Sequence, residues 1–300
     1  MLFEHLALAP SAIIMKYWFC LSKRAKQRVV MLFILAFVGS MLSGYAVFVE
    51  PRMITIAEYE IVSENLPDAF DGKRIALITD IHHGTRLSYN LLDKIVRLTN
   101  EQSPDLILLG GDYTYERPEP LAECFAKLSE WEAPLGVFAV LGNHDYWRLP
   151  LVRKTIHDTG IELLEDDTVW LEEGDDRILL VGVADARFGK PSLIGMQQEL
   201  AESDFTVVLS HTPDFYYMMT PEERDHIDLM LSGHTHGGQI TVFGFYAPIK
   251  TADAKFLAGH LKLNDGQMTM IVSNGVGTAG LPIRFFARPQ IVLVTLKKKT

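Results

Sequence analysis

The chain is poor in cysteine and in basic charge. Its two cysteines, Cys20 and Cys124, stand far apart, one ahead of a long apolar run and the other in a predicted helix of the body. Neither a disulfide framework nor a thiolate metal site is therefore expected. Lys and Arg number 28 against 38 Asp and Glu, a net charge of −10. Such a balance lacks the basic face that a general nucleic-acid binder needs, so no nucleic-acid partner is expected. The deficit is uneven. Residues 1–50 hold Lys16, Lys23, Arg24, Lys26 and Arg28 against Glu4 and Glu50, so the acidic excess belongs to the rest of the chain. Internal repeats and low-complexity linkers are lacking too. At 48% hydrophobic and 22% charged residues over 300 positions, the chain can order itself around a sizeable core.

Charge is missing altogether from residues 29–49, VVMLFILAFVGSMLSGYAVFV. As a helix this run spans roughly 31 Å, against about 30 Å for a bilayer core. Lys23, Arg24, Lys26 and Arg28 precede it directly. The positive-inside rule then keeps residues 1–28 in the cytoplasm and puts residues 50–300 outside it. Other readings exist. Gly44 and Ala46 offer a small-x-small site for cleavage of a signal peptide. A first membrane segment over residues 6–21 would reverse the topology, although Pro10 and Lys16 interrupt it. The simplest division is a basic N-terminal segment over 1–28, a transmembrane anchor over 29–49 and one catalytic domain over 52–300.

Within that domain short apolar runs alternate with longer mixed stretches. Arg74–Thr79, Leu106–Leu109, Val137–Leu141, Ile178–Val183, Thr206–Leu209, Leu229–Leu231, Met270–Val272 and Ile291–Leu296 are predicted as buried strands. Ser88–Gln102 and Glu119–Trp131 carry helical periodicity, and Pro104 stops the first of them. The alternation predicts an α/β layered domain.

The residues just past these strands are chemically specific. Asp80-Ile-His82 comes after the first run, Gly110-Gly-Asp112 after the second, and Gly142-Asn143-His144-Asp145 after the third. His211 and Gly233-His234-Thr-His236 close two later ones. Side chains at the carboxyl ends of strands in an α/β sheet converge on one crevice. Imidazole, carboxylate and amide donors without thiolates suit divalent Mn, Fe, Zn or Ni. Singly each element reads as an ordinary turn or a buried histidine. As an ordered set they point to a metal site.

The series resembles the calcineurin-like metallophosphoesterase superfamily over about residues 73–240. The more specific stretches Pro104-Asp-Leu-Ile-Leu-Leu-Gly-Gly-Asp112, Asp228-Leu-Met-Leu-Ser-Gly-His-Thr-His-Gly-Gly-Gln239 and the tail with Gly275-Val-Gly277, Pro282-Ile-Arg284 and Arg288-Pro289 resemble the bacterial YaeI/YkuE-type phosphodiesterase group. That group in turn resembles the membrane-associated UDP-2,3-diacylglucosamine pyrophosphatases. The resemblance implies a four-layer αββα sandwich and two divalent metal ions. It implies that Asp80, His82 and His236 hold the first metal and Asn143, His211 and His234 the second, with Asp112 bridging. His144 would act near the leaving oxygen, with Asp145 either orienting it or capping a helix. A water activated between two metals would attack phosphorus in line.

Phosphoprotein phosphatases of the superfamily carry Asp-Arg-Gly shortly after Gly-Asp and a Glu after Gly-Asn-His. This chain has Asp112-Tyr-Thr-Tyr-Glu-Arg117-Pro118 and Asp145 instead. The expected activity is hydrolysis of a phosphodiester, with a UDP-2,3-diacylglucosamine pyrophosphatase or an envelope-binding protein as alternatives. The aromatic stretches Val242–Tyr246 and Ile283–Phe286, close to expected site loops, suggest a lipid-linked substrate at the membrane.

Overall fold

In the computed structural model, which describes residues 21–84, 89–115, 121–242, 245–246 and 255–299, two compact units appear, Met1–Ala46 and Val47–Thr300. The first contains helix α1, Lys23–Gly44. Ser22 caps it, its hydroxyl accepting from the Ala25 N–H at 3.3 Å. None of its residues is buried. The basic cluster at 23–28 is its opening turn and a half rather than a preceding tail, so the helix starts earlier than the apolar run does. The run's last turn, Tyr45–Val49, is π-helical, and a 3₁₀ turn over Glu50–Arg52 succeeds it. Together the stretch Lys23–Arg52 is long and apolar enough to cross a bilayer, an 18-residue window within it having a mean hydropathy of 2.2. Cys20, Lys16 and the segment 6–21 lie outside the described residues, apart from its last residue, Leu21.

The second unit takes in Val47–Pro51, ahead of the expected start at 52. Glu50 and Pro51 are buried in it. Its strands are β1 (Thr55–Ser63), β2 (Arg74–Ile78), β3 (Leu106–Leu109), β4 (Val137–Ala139), β5 (Glu162–Leu163), β6 (Asp167–Glu173), β7 (Asp176–Gly182), β8 (Thr206–Leu209), β9 (Leu229–Ser232), β10 (Thr241–Val242), β11 (Phe245–Tyr246), β12 (Gly259–Leu263), β13 (Met268–Val272) and β14 (Gln290–Lys298). Its helices are α2 (Tyr89–Glu101), α3 (Leu121–Leu128), α4 (Leu149–Asp158), α5 (Gln197–Glu202) and α6 (Pro221–Asp225).

Two six-stranded sheets form, ordered β1-β14-β2-β3-β4-β5 and β12-β13-β9-β8-β7-β6. Strands β2 to β5 run parallel, as do β7, β8, β9 and β13. Alternation along each strand decides the layers. In β2, Ile75 and Leu77 face the second sheet, where they meet Leu180, Val207 and Leu231; Ala76 and Ile78 face Ile95 of α2 and Phe125 of α3. The far side of the second sheet presents Val181, Val208 and Met230 to Leu200 of α5 and to Phe215. Three apolar interfaces thus separate four layers, helix, sheet, sheet and helix. The seam between sheets consists almost wholly of buried Leu, Ile, Val and Phe, each contributing about 1.5–3 kcal/mol by its burial. All eight predicted strands are present.

Candidate metal centre

The parallel direction of β2, β3 and β4 in one sheet, and of β8 and β9 in the other, brings five strand ends to one edge of the sandwich. Asp80, His82, Asp112, Asn143, His211, His234 and His236 meet there, all buried. The backbone is bent hard to deliver them. Asp80, His82, Asp112, His234 and His236 have φ of 56°, 46°, 58°, 69° and 53°, in the left-handed region that non-glycine residues rarely occupy. Such strain collects where side chains must point at a common target. Gly111 and Gly142 allow the β3 and β4 loops to touch. A Cβ on Gly111, whose φ is 88°, would strike the Gly142 backbone, and one on Gly142 would strike the Asp112 carboxylate.

Two sets of donor atoms result. In the first, His82 Nε2 and His236 Nε2 face each other at 3.1 Å, and Asp80 Oδ1 lies 3.4 Å from His236 Nε2. In the second, His234 Nδ1 lies 3.2 Å and Asn143 Oδ1 3.3 Å from His211 Nε2. Between them, one oxygen, Asp112 Oδ2, stands 3.6 Å from His82 Nε2 and 3.4 Å from His211 Nε2. The groups Asp80–His82–His236 and Asp112–His211–His234 each keep their donor atoms within 4.8 Å of one another.

The electrostatics of the two sets differ. Burial pushes His82 and His234 down to about 3 and His236 well below its usual value, so these rings stay neutral with a free lone pair. Burial lifts Asp80 to about 6. For Asp112 burial is outweighed by the charged His211 ring, which holds the carboxyl well below the usual range. His211 goes the other way. Burial would lower it, but Asp112 overrides this and holds it up at about 10. Its Nδ1 lies 2.7 Å from the Gly110 carbonyl, which fixes the ring and turns Nε2 inward.

These residues fit divalent cations. Paired neutral imidazoles aim nitrogen at nitrogen, and Asp80 Oδ1 is buried with no hydrogen bond. Without a cation the Asp80 oxygen would be left desolvated and uncompensated, and the two rings would be satisfied there only by one donating to the other. Nitrogen and oxygen donors of this kind suit borderline metals.

The remaining predicted residues are nearby. His144 is half-buried; its ring meets those of His82 at 5.0 Å and Tyr115 at 4.9 Å. Its own N–H donates to Asp112 Oδ1 at 2.8 Å. A His144 ring nitrogen also falls within 4.8 Å of the donors of His82 and Asp112. Asp145 does not reach the His144 ring and caps no helix with its side chain. Its carboxylate accepts from the N–H groups of Asp112, Tyr113 and Gly142, tying the two ligand loops together. Burial pushes its pKa up to about 8.

Several residues that support the site carry no role in the sequence pattern. The Thr79 hydroxyl donates to Asp80 Oδ2 at 2.8 Å, and the His234 N–H donates to the same oxygen at 3.0 Å. The Asp185 carboxylate accepts from Thr212, next to His211. Arg284 is fully buried behind His236. It donates to the carbonyls of Gly277, Asn274 and Ala287 at 2.9, 2.8 and 2.7 Å, and its Nη2 lies 3.4 Å from His236 Nδ1. Burial lowers its pKa to about 10, opposed by Asp80 and Glu50. The Pro-Ile-Arg tail is the only visible signal for it.

A family model described as calcineurin-like phosphoesterase matches residues 73–238, the stretch that contains every residue of both donor sets. The chain belongs to the calcineurin-like phosphoesterase family. Its members bind divalent metals, the fold is that of a metallophosphoesterase, and the two donor sets are candidate metal-ligand groups. Among curated relatives, the uncharacterised metallophosphoesterase YkuE of Bacillus subtilis is 32% identical over 263 residues, covering 85% of this chain and 89% of the relative. Phosphodiesterase YaeI of Escherichia coli is 30% identical over 275 residues, 84% of this chain and 92% of that one. A transmembrane protein with metallophosphoesterase domain from Danio rerio is 30% identical over 255 residues, 81% of this chain, but the match spans 57% of its length.

Proposed function

We propose that this calcineurin-like phosphoesterase is a membrane-anchored phosphodiesterase working with two divalent cations. Asp80, His82 and His236 would hold one, Asn143, His211 and His234 the other, with Asp112 between. The observation that carries the reading is the single oxygen Asp112 Oδ2, set within 3.6 Å of one donor set and 3.4 Å of the other. Bound there, two dications polarise a phosphoryl oxygen and lower the pKa of water. The chain's own part is to orient and to move a proton. Asp145 locks the Gly111–Tyr113 loop against Gly142, and so fixes Asp112. His144, half-buried beside His82, is placed to give a proton to the leaving alkoxide oxygen.

The diester preference rests on the absent Asp-Arg-Gly, on Asp145 in place of Glu, and on the likeness to a relative named as a phosphodiesterase. Arg117 and Pro118 themselves lie outside the described residues. Anchoring is supported by the apolar helix at Lys23–Arg52 and by the transmembrane relative. The basic cluster Lys23, Arg24, Lys26 and Arg28 favours a catalytic domain outside the cytoplasm. That side disfavours a cytoplasmic nucleotide sugar such as UDP-2,3-diacylglucosamine as substrate. A lipid-linked diester agrees with the exposed Leu281 and Phe286, on a loop whose Ala287 bonds Glu50, the residue that closes the apolar run. Phe243, in the other aromatic stretch, lies outside the described residues.

The test compares kcat/KM of the Mn²⁺-loaded protein on bis(p-nitrophenyl) phosphate and on a phosphoserine peptide. The diester should be the better substrate by at least about tenfold, which is 1.4 kcal/mol in transition-state binding. The reverse order would overturn the reading.

A further inference from the structure

Glu50 is an acidic residue at the end of an apolar run, yet only 2% of its surface is exposed. Burying a carboxylate without a partner is strongly unfavourable, so its surroundings must compensate it. One partner is explicit. Glu50 Oε1 accepts from the Ala287 N–H at 2.8 Å. The carbonyl of Ala287 in turn accepts from Arg284 Nη1 at 2.7 Å. Ala287 is therefore gripped from both sides, by a carboxylate through its N–H and by a guanidinium through its C=O. Arg284 is itself fully buried and forms no salt bridge among the described residues. Its other nitrogens run to the loop after β13 and to His236. A cation this close to a metal-binding imidazole would oppose a dication there unless an anion balances it. Asp80 is one such anion, but its free oxygen belongs to the donor set. Glu50 is the other carboxylate acting on Arg284.

We infer that Glu50 is a positioning residue for the first donor set: its carboxylate holds the Arg284–Ala287 loop behind His236 and balances the Arg284 charge. The segment directly after the apolar helix is thus part of the site, not a passive tether. The inference rests on the metal-holding reading proposed for Asp80, His82 and His236.

The test uses the full chain in detergent micelles, with Mn²⁺ content measured after dialysis against graded chelator. Glu50→Gln keeps an acceptor for Ala287 and removes the charge. It should weaken the binding of one Mn²⁺ equivalent by about tenfold or more, the lower end of what outer partners of metal ligands contribute. The second equivalent should be retained, and Cys124, buried in the core, should stay protected from alkylation. In an Arg284→Gln background, adding Glu50→Gln should bring no further loss of that equivalent, because the charge to be balanced is gone. Equal Mn²⁺ binding by Glu50→Gln and the parent would overturn the inference alone. So would loss of both equivalents together with exposure of Cys124, which would make Glu50 a support of the fold only. A parent that takes up no Mn²⁺ would overturn the metal reading itself.

Discussion

The Nε2 atoms of His82 and His236 lie 3.1 Å apart, in rings stacked at 18°. Burial keeps both rings neutral, His82 at about 3 and His236 well below its usual value. At least one of these nitrogens lacks a proton, and a cation between them would satisfy both. Metal should therefore stabilise the fold. At a thousandfold excess over Kd, bound Mn²⁺ adds about 4 kcal/mol, or roughly 8–16 °C in Tm for a domain of this size. A thermal melt across a Mn²⁺ titration measures it. A Tm indifferent to metal and chelator would remove the basis for the site.

Asp112 and His144 should separate cleanly. Among the described residues, Asp112 supplies the oxygen that faces both donor sets, so Asp112→Asn should lose most activity and much of the metal. His144→Ala should keep both metals while slowing turnover by about 10²–10⁴-fold, the usual contribution of a positioned acid. Metal analysis beside kinetics on the two variants decides. Loss of metal from His144→Ala would make His144 a ligand, which its nearness to His82 and Asp112 allows.

Gly142 should not tolerate a side chain. A Cβ there would meet the Asp112 carboxylate and amide. Gly142→Ala should leave the core packed but cut activity at least tenfold, because the β3 and β4 loops must move apart. Full activity in that variant would mean the loops adjust freely.

The orientation of the catalytic unit is open to a reporter. A fusion after Thr300 to an enzyme that works only outside the cytoplasm should be active if Lys23, Arg24, Lys26 and Arg28 set the topology. An inactive fusion, with a cytoplasmic reporter active in its place, would restore the nucleotide-sugar substrate as the leading candidate.

The lipid reading turns on Phe286, which is 56% exposed with φ of 54°. Phe286→Ser should leave hydrolysis of a soluble diester unchanged and weaken hydrolysis of a diester embedded in vesicles several-fold. Equal losses on the two substrates would mean that the ring only supports its loop.

Most of the fold is legible in the sequence because each inner strand is an apolar run that stops at a chemically distinctive residue. β2 ends before Thr79-Asp80, and β9 before Gly233-His234. β1 is hidden because its two faces differ less: Ala57, Tyr59 and Ile61 meet the core, but Ile56 alternates with them. Asp145 misleads because its neighbour in sequence, His144, is not its partner in space; the carboxylate turns to backbone groups of its own loop and of the Asp112 loop. Glu50 and Arg284 are 234 positions apart, and nothing local in either stretch announces that they share Ala287. Long-range polar pairing leaves no periodicity to read.

The order of the first sheet sets a timetable for synthesis. β1 has one partner, β14, paired over all nine residues from Thr55–Gln290 to Ser63–Lys298. β2 takes the other side of β14. A ribosome adding about 5–20 residues per second needs on the order of 10–50 s to travel from one strand to the other. Throughout that interval β1 emerges without a neighbour and β2 carries an open edge, available to any other extended chain. Nascent copies on one messenger are therefore most prone to cross-pair before β14 emerges, and a stop codon ahead of Gln290 leaves the sheet unclosed.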